Sequence, residues 1–205
     1  MTAYVKRVAV WAAVIPLLAA LSPSPASAQK LRDRVIERVV SPDEPVKISA
    51  MKVRGVAVEP GKKFKGDEDW LSGLTLSVTN TSDKAICFIN IALDLTAAAA
   101  AEPGLRDRLV WGCRQPAAEG ASGLERPKHL APGESVEIAL SKEQYAEARE
   151  QLRRTNHPAG IDRVDITVDE VGFEGEEDTR WSGGRMMRRD RDDPNRWHPV
   201  RPPGK

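Results

Sequence analysis

Aromatic side chains are scarce, at 5% of the 205 residues. A core must therefore come mostly from Val, Ile, Leu and Ala, with Trp70, Trp111, Trp181 and Trp197 as the main exceptions. Charge of one sign is missing too, since 31 Lys and Arg face 30 Asp and Glu. A chain this close to neutral has no overall electrostatic basis for binding nucleic acid or an anionic membrane surface. The three histidines, His129, His157 and His198, form no H-x-x-x-H pair of the kind zinc sites use. No G-x-S-x-G elbow is present to carry a nucleophile. Carboxylate pairs such as Asp67 with Asp69 and Glu176 with Glu177 fall in charged loops, where solvation accounts for them. The expectation is a non-catalytic protein without cofactor or metal.

Long apolar runs are also lacking. The longest, Val8 to Leu21, is broken by Pro16 and is shorter than the roughly 20 residues a spanning helix needs. With Lys6 and Arg7 before it and Ala26-Ser27-Ala28 after it, the run has the three parts of a secretory signal peptide. Small residues at Ala26 and Ala28 fit the shallow pockets of signal peptidase, so cleavage is expected before Gln29. The mature protein is then periplasmic or extracellular. Removing Lys6 and Arg7 leaves 29 basic against 30 acidic residues, a balance of −1. Cysteines number two, Cys87 and Cys113. An even count in an oxidising compartment points to a disulfide, which would stabilise the fold by about 3.5 kcal/mol in the chain-entropy model. The competing reading is a buried thiol at Cys87, on a core-facing strand position.

Strand signals dominate what remains. Residues 29–45 form an N-terminal extension in which Val35-Ile36 and Val39-Val40 suit a strand, while Leu31, Val35 and Val39 also fit a helical stripe. Val46, Ile48 and Ala50 alternate with polar residues, and so do Leu74, Leu76 and Val78. Asn80-Thr81-Ser82-Asp83 reads as a turn, followed by Cys87, Ile89, Ile91, Leu93 and Leu95 on one strand face. The segment 73–95 is expected to be a β-hairpin. A long irregular loop should run from Glu102 to His129. Ala131-Pro132-Gly133-Glu134 turns the chain into Val136, Ile138 and Leu140. Ser141 and Gln144 make a capping box for a helix over 142–154, with Tyr145, Ala148 and Leu152 on its apolar face. In the last strand Val164, Ile166 and Val168 give way to Val171 and Phe173, a phase shift that a β-bulge near Glu170 would produce. The stretch 174–205 is dense in charge and proline, and is expected to be an irregular tail.

These signals define an all-β fold: an antiparallel β-sandwich over 46–173 with one short helix. The order Asn80-x-Ser82-x-Lys84, apolar strand, long loop and Leu130-x-Pro132-Gly133-Glu134 resembles bacterial exported immunoglobulin-like domains. Phe173 with Trp181-Ser182-Gly183-Gly184 resembles a C-terminal motif of similar proteins. The resemblance covers roughly 46–173 and implies the immunoglobulin-like fold but no particular activity, because such sandwiches host many roles.

Function is expected to sit where core patterning offers no explanation. Trp111, with Arg106, Arg108 and Arg114 in the same loop, has the composition of a protein-binding hot spot. The leading reading is an exported binding or interaction module for an unknown protein or envelope component. Its first rival is a protease-inhibitor-type sandwich presenting the 102–129 loop. A second rival uses the tail for metal, with Asp190, Asp192, Asp193 and Asn195 for calcium, or Met186, Met187 and His198 for copper. Interleaved Arg188, Arg189, Arg191 and Arg196 oppose a cation there. The tail is expected to act as a strap over a sheet edge.

Overall fold

The computed structural model describes residues 31–97, 104–112, 129–154, 160–176 and 178–200. They form an all-β, sandwich-like fold of two sheets and one α-helix. No helix among the described residues is long and apolar enough to cross a membrane.

The smaller sheet has the order β3 (Val56–Val58), β2 (Val46–Val53), β5 (Leu74–Asn80), β8 (Ser135–Ala139). The larger is organised around β9 (Ile161–Phe173). One edge of β9 pairs antiparallel with β6 (Ile86–Ala97), which pairs in turn with β7 (Leu105–Gly112). The other edge of β9 is shared end to end. β1 (Arg32–Val39) takes residues 163–167 in parallel, and β10 (Thr179–Ser182) takes residues 170–172 antiparallel. Beyond β10 lie β11 (Arg185–Arg189) and β12 (Trp197–Pro199). Beyond β1 lies β4 (Phe64–Gly66). The core lies between the sheets, where Leu74, Leu76 and Val78 of β5 meet Ile89, Ile91 and Leu93 of β6 and Val164, Ile166 and Val168 of β9.

Four expectations are corrected. The segment 73–95 is not a hairpin, because β5 and β6 belong to different sheets. Asn80-Thr81-Ser82-Asp83 is the corner between them. The buried Asn80 amide donates to the carbonyls of Lys84 (2.8 Å) and Leu130 (2.9 Å), and its side-chain oxygen accepts from the Ser82 N–H. The Gly133 N–H donates to the Asn80 carbonyl, and the Asn80 N–H to that of Glu134. Asn80-x-Ser82-x-Lys84 and Leu130-x-Pro132-Gly133-Glu134 are therefore one interlocked corner.

The 102–129 segment is not irregular throughout. Residues 105–112 are strand β7, paired with β6 over its whole length. The N-terminal extension is not outside the sandwich, because β1 belongs to the larger sheet with Ile36 in the core. The tail is not irregular, because β10, β11 and β12 extend the same sheet and Trp181 is only 1% exposed. Gly183 and Gly184 close the β10–β11 hairpin at φ +57° and +85°, the left-handed pair that a tight hairpin turn requires.

Other expectations match the structure. β9 carries an extra residue at Asp169, between the Asn90–Glu170 and Ile91–Val168 pairs. That bulge lets Val168 and Val171 both face the core while Glu170 faces away. The helix α1 (Lys142–Arg154) has its capping box, with Ser141 Oγ accepting from the Gln144 N–H and Gln144 Oε1 from the Ser141 N–H, both at 3.1 Å. Tyr145, Ala148 and Leu152 are buried. The Tyr145 hydroxyl donates to the Glu68 carbonyl, and burial pushes its pKa up to about 12.

One core residue has no counterpart in the hydrophobic pattern. Arg34 of β1 is fully enclosed, donating to the carbonyls of Ile161 (2.8 Å) and Asp67 (2.9 Å) and pairing with Asp162. Gly66 faces it because a Cβ there would lie 2.9 Å from both Arg34 Cγ and Trp70 Cβ.

Candidate functional site

Strand parity decides which of the expected contact residues can act together, since successive side chains point to opposite faces. On β7, Leu105, Leu109 and Trp111 face the core, Leu109 buried within it and the other two packed against it. Arg106, Arg108 and Val110 face outward. Arg106 bridges Asp169 (3.3 Å) and Asp94 (3.7 Å). The group expected around Trp111 is thus divided between two faces of one strand. Arg114 and Cys113 lie outside the described residues, as does the 113–128 part of the expected loop.

The outward face of the larger sheet continues from β7 across to β12. Ladder register brings Val110, Asn90, Glu170, Ser182 and Arg185 into one row. Beside it, Phe88, Gly172, Arg180, Met187 and Pro199 form another. This face is not uniformly solvated, because Ala92 is fully buried and Asn90 is 3% exposed. Among the described residues Asn90 Oδ1 has no hydrogen-bond partner, which marks a buried polar row next to Glu170. Arg180 Nη1 lies 3.0 Å from Glu170 Oε1.

At the β12 end a tryptophan meets two guanidinium groups. Trp197 pairs with Arg189 across the β11–β12 ladder. The Arg180 guanidinium carbon lies 3.9 Å from the Trp197 ring centroid and that of Arg189 lies 5.1 Å away. Each contact contributes roughly 0.5–1 kcal/mol where exposed and about 2 kcal/mol where desolvated. The Nε atoms of Arg180 and Arg189 are sheltered from solvent without an acceptor among the described residues. Among the described residues, no carboxylate lies within 4.0 Å of the guanidinium groups of Arg185, Arg188, Arg189, Arg191 or Arg196.

The acidic residues of the same region are turned to other work. Asp190 Oδ1 accepts from the Asp192 N–H (2.8 Å) and the Asp193 N–H (3.3 Å), and Oδ2 contacts His198 Nε2 at 2.7 Å. Those backbone donors, then His198, hold the Asp190 carboxyl below its ordinary pKa. Asp193 accepts from the Asn195 N–H. These carboxylates cap the turn between β11 and β12. The methionines of the copper reading separate, Met186 packing on the core and Met187 standing on the outward face with Arg180. Among the described residues, no group of three or more His, Cys, Asp or Glu is placed to hold a metal ion.

Trp111, the tryptophan of the expected contact group, packs on the core, whereas Trp197 shares an outward face with two arginines. The signal for the latter was present in Arg185, Met187 and Arg189, a period-2 pattern followed by Trp197, but dense charge of both signs hid it. No family model, curated protein or solved structure matches the chain.

Proposed function

We propose that the chain is an exported, non-catalytic interaction module, and that its contact surface is the outward face of β10–β12 centred on Trp197. The observation that carries this reading is a half-buried tryptophan flanked by two arginines on a sheet face, beside further arginines with no ion pair among the described residues. Trp and Arg are the residues on which binding energy concentrates. The rigid sheet presents them without ordering a loop, so little conformational entropy is lost on binding. Cleavage before Gln29 would leave the sheet intact, because β1 begins at Arg32.

A photo-crosslinking residue at Met187 tests this directly in the native host. Met187 lies on the proposed surface, and Ser77 on the outward side of the smaller sheet is the control. Crosslinks to one discrete partner from position 187 and none from 77 are expected. Equal labelling from both positions, or from neither, would overturn the assignment.

A further inference from the structure

The β10–β12 unit is cationic although the chain is close to neutral. Residues 178–200 contain six arginines, no lysine, four aspartates and no glutamate. Asp190 and Asp193 are occupied in capping the β11–β12 turn. Only one of the six arginines, Arg180, is ion-paired among the described residues. What remains is an excess of planar guanidinium groups around an aromatic ring.

We infer that this face binds an extended acidic segment of a partner protein, in which two carboxylates flank an apolar residue. The inference rests on the reading of the Trp197 face as the contact surface. Arg185, Met187 and Arg189 stand on one side of β11, and a strand rises about 3.3 Å per residue. The two arginines are therefore about 13 Å apart along the strand, the span between side chains i and i+4 of an extended peptide. The intervening i+2 side chain would meet Met187, whose unbranched thioether adapts to varied apolar partners.

The exclusive use of arginine favours carboxylate over a diffuse point-charge contact. A guanidinium offers a rigid two-donor edge that matches a carboxylate, whereas lysine offers a single charge. The site already contains a sample of this chemistry, because Glu170 occupies one edge of Arg180. Trp197 also lies against Arg189, whose guanidinium carbon is 5.1 Å from the ring centroid, so part of the ordering needed for a bidentate contact at Arg189 is complete before a ligand arrives.

The probe is a labelled, end-capped peptide repeating Glu-Thr-Val-Thr-Glu, titrated against the full mature chain by fluorescence anisotropy. Three comparisons accompany it: the same peptide with Gln for Glu, inorganic polyphosphate as competitor, and an R185Q/R189Q double variant whose fold is checked by circular dichroism. Saturable binding is expected, weakening as salt rises and falling by about tenfold or more in the double variant. The Gln peptide should not bind. An R189K variant should lose most of the affinity, because it keeps the charge and loses the fork. Equal binding by the double variant or by the Gln peptide would overturn the inference. So would polyphosphate binding more tightly than the peptide, which would identify a phosphate polymer as the ligand. A crosslink from position 187 to a partner segment without acidic residues would remove the ligand class and leave the contact surface standing.

Discussion

Two strands at opposite ends of one sheet carry a tryptophan with arginines nearby, and they use them in opposite ways. On β7, Trp111 packs on the core while Arg106 and Arg108 point outward. At the other end, Trp197 stands on the outward face with Arg180 and Arg189 over its ring. The compositions are alike and the difference is parity. On β7 the tryptophan lies an odd number of residues from Arg106 and an odd number from Arg108, so both arginines take the opposite face. Arg189 and Trp197 are on separate strands, and the ladder sets them side by side. A hot-spot composition makes a surface only when register brings its members to one face.

Four experiments would break or sharpen that contrast. The largest effect is expected at the end of β7. Register in the β6–β7 ladder is constant from Leu95–Leu105 to Phe88–Gly112, and Cys87 belongs to β6, while its expected partner Cys113 lies outside the described residues. If the expected Cys87–Cys113 bridge forms, a Cys87→Ser variant should lose about 3.5 kcal/mol. Mass spectrometry before and after reduction should show a gain of two hydrogens. Two alkylatable thiols in the native protein would refute the bridge.

Next is Trp111→Ala. Removing a ring packed on the core should cost about 3 kcal/mol, read by urea unfolding, with acidic-peptide binding unchanged. Trp197→Ala should reverse that pattern, costing about 1–2 kcal/mol from the lost cation–π contacts and reducing binding about tenfold or more. If the two variants behaved alike, the contrast between the strands would fail.

The third test concerns how the β10–β12 unit is anchored. The Lys84 ammonium and then the Thr179 hydroxyl hold the Glu176 carboxyl below its ordinary pKa of 4.5. A lowered folded pKa means that this stabilisation is complete above the unfolded value and is lost as pH falls through the folded one. Acidification from pH 5 to pH 3 should therefore loosen the hairpin, by about 1 °C in melting temperature for an exposed pair. Glu176→Gln should remove that increment of pH dependence, and an unchanged profile would assign the anchoring elsewhere. The smallest effect is expected for Arg106→Gln, at about 0.5 kcal/mol or less, because its two ion pairs are solvent-exposed. A loss of peptide binding in that variant would extend the contact surface across to β7.

Local features were legible where local chemistry produces them. The capping box at Ser141 and Gln144 involves groups three residues apart, and the bulge at Asp169 follows from a shift of apolar phase within one strand. The sequence shows Asn80-Thr81-Ser82-Asp83 as a turn, yet not as a crossing between sheets. Alternating strands around a short polar turn look the same in either case. What separates them is that β2 and β8 flank β5 while β9 and β7 flank β6, and those pairings span long stretches of chain. The tail was misread for a similar reason. Its strands are short and their outward positions mix arginines with Met187 and Trp197, so the core-facing signal that reveals a strand is confined to Trp181 and Met186. The burial of Arg34 was invisible because its partners Asp67, Ile161 and Asp162 are remote in sequence.

The amino-acid order by itself determined the all-β class, the helix over 142–154, the turn at Asn80 and the alternating core residues of β5, β6 and β9, but not those of β2, where a register shift after Ile48 exposes Ala50 and buries Met51 and Val53. Each depends on periodicity or on contacts within a few residues. Tertiary structure alone decided that β1 runs parallel to β9, that the tail completes the larger sheet, and that Trp197 rather than Trp111 gathers arginines on an open face. Those outcomes depend on which backbone edges find each other. Hydrogen bonding along an edge is nearly indifferent to side-chain identity, so the choice is made by the fit of the whole assembled core.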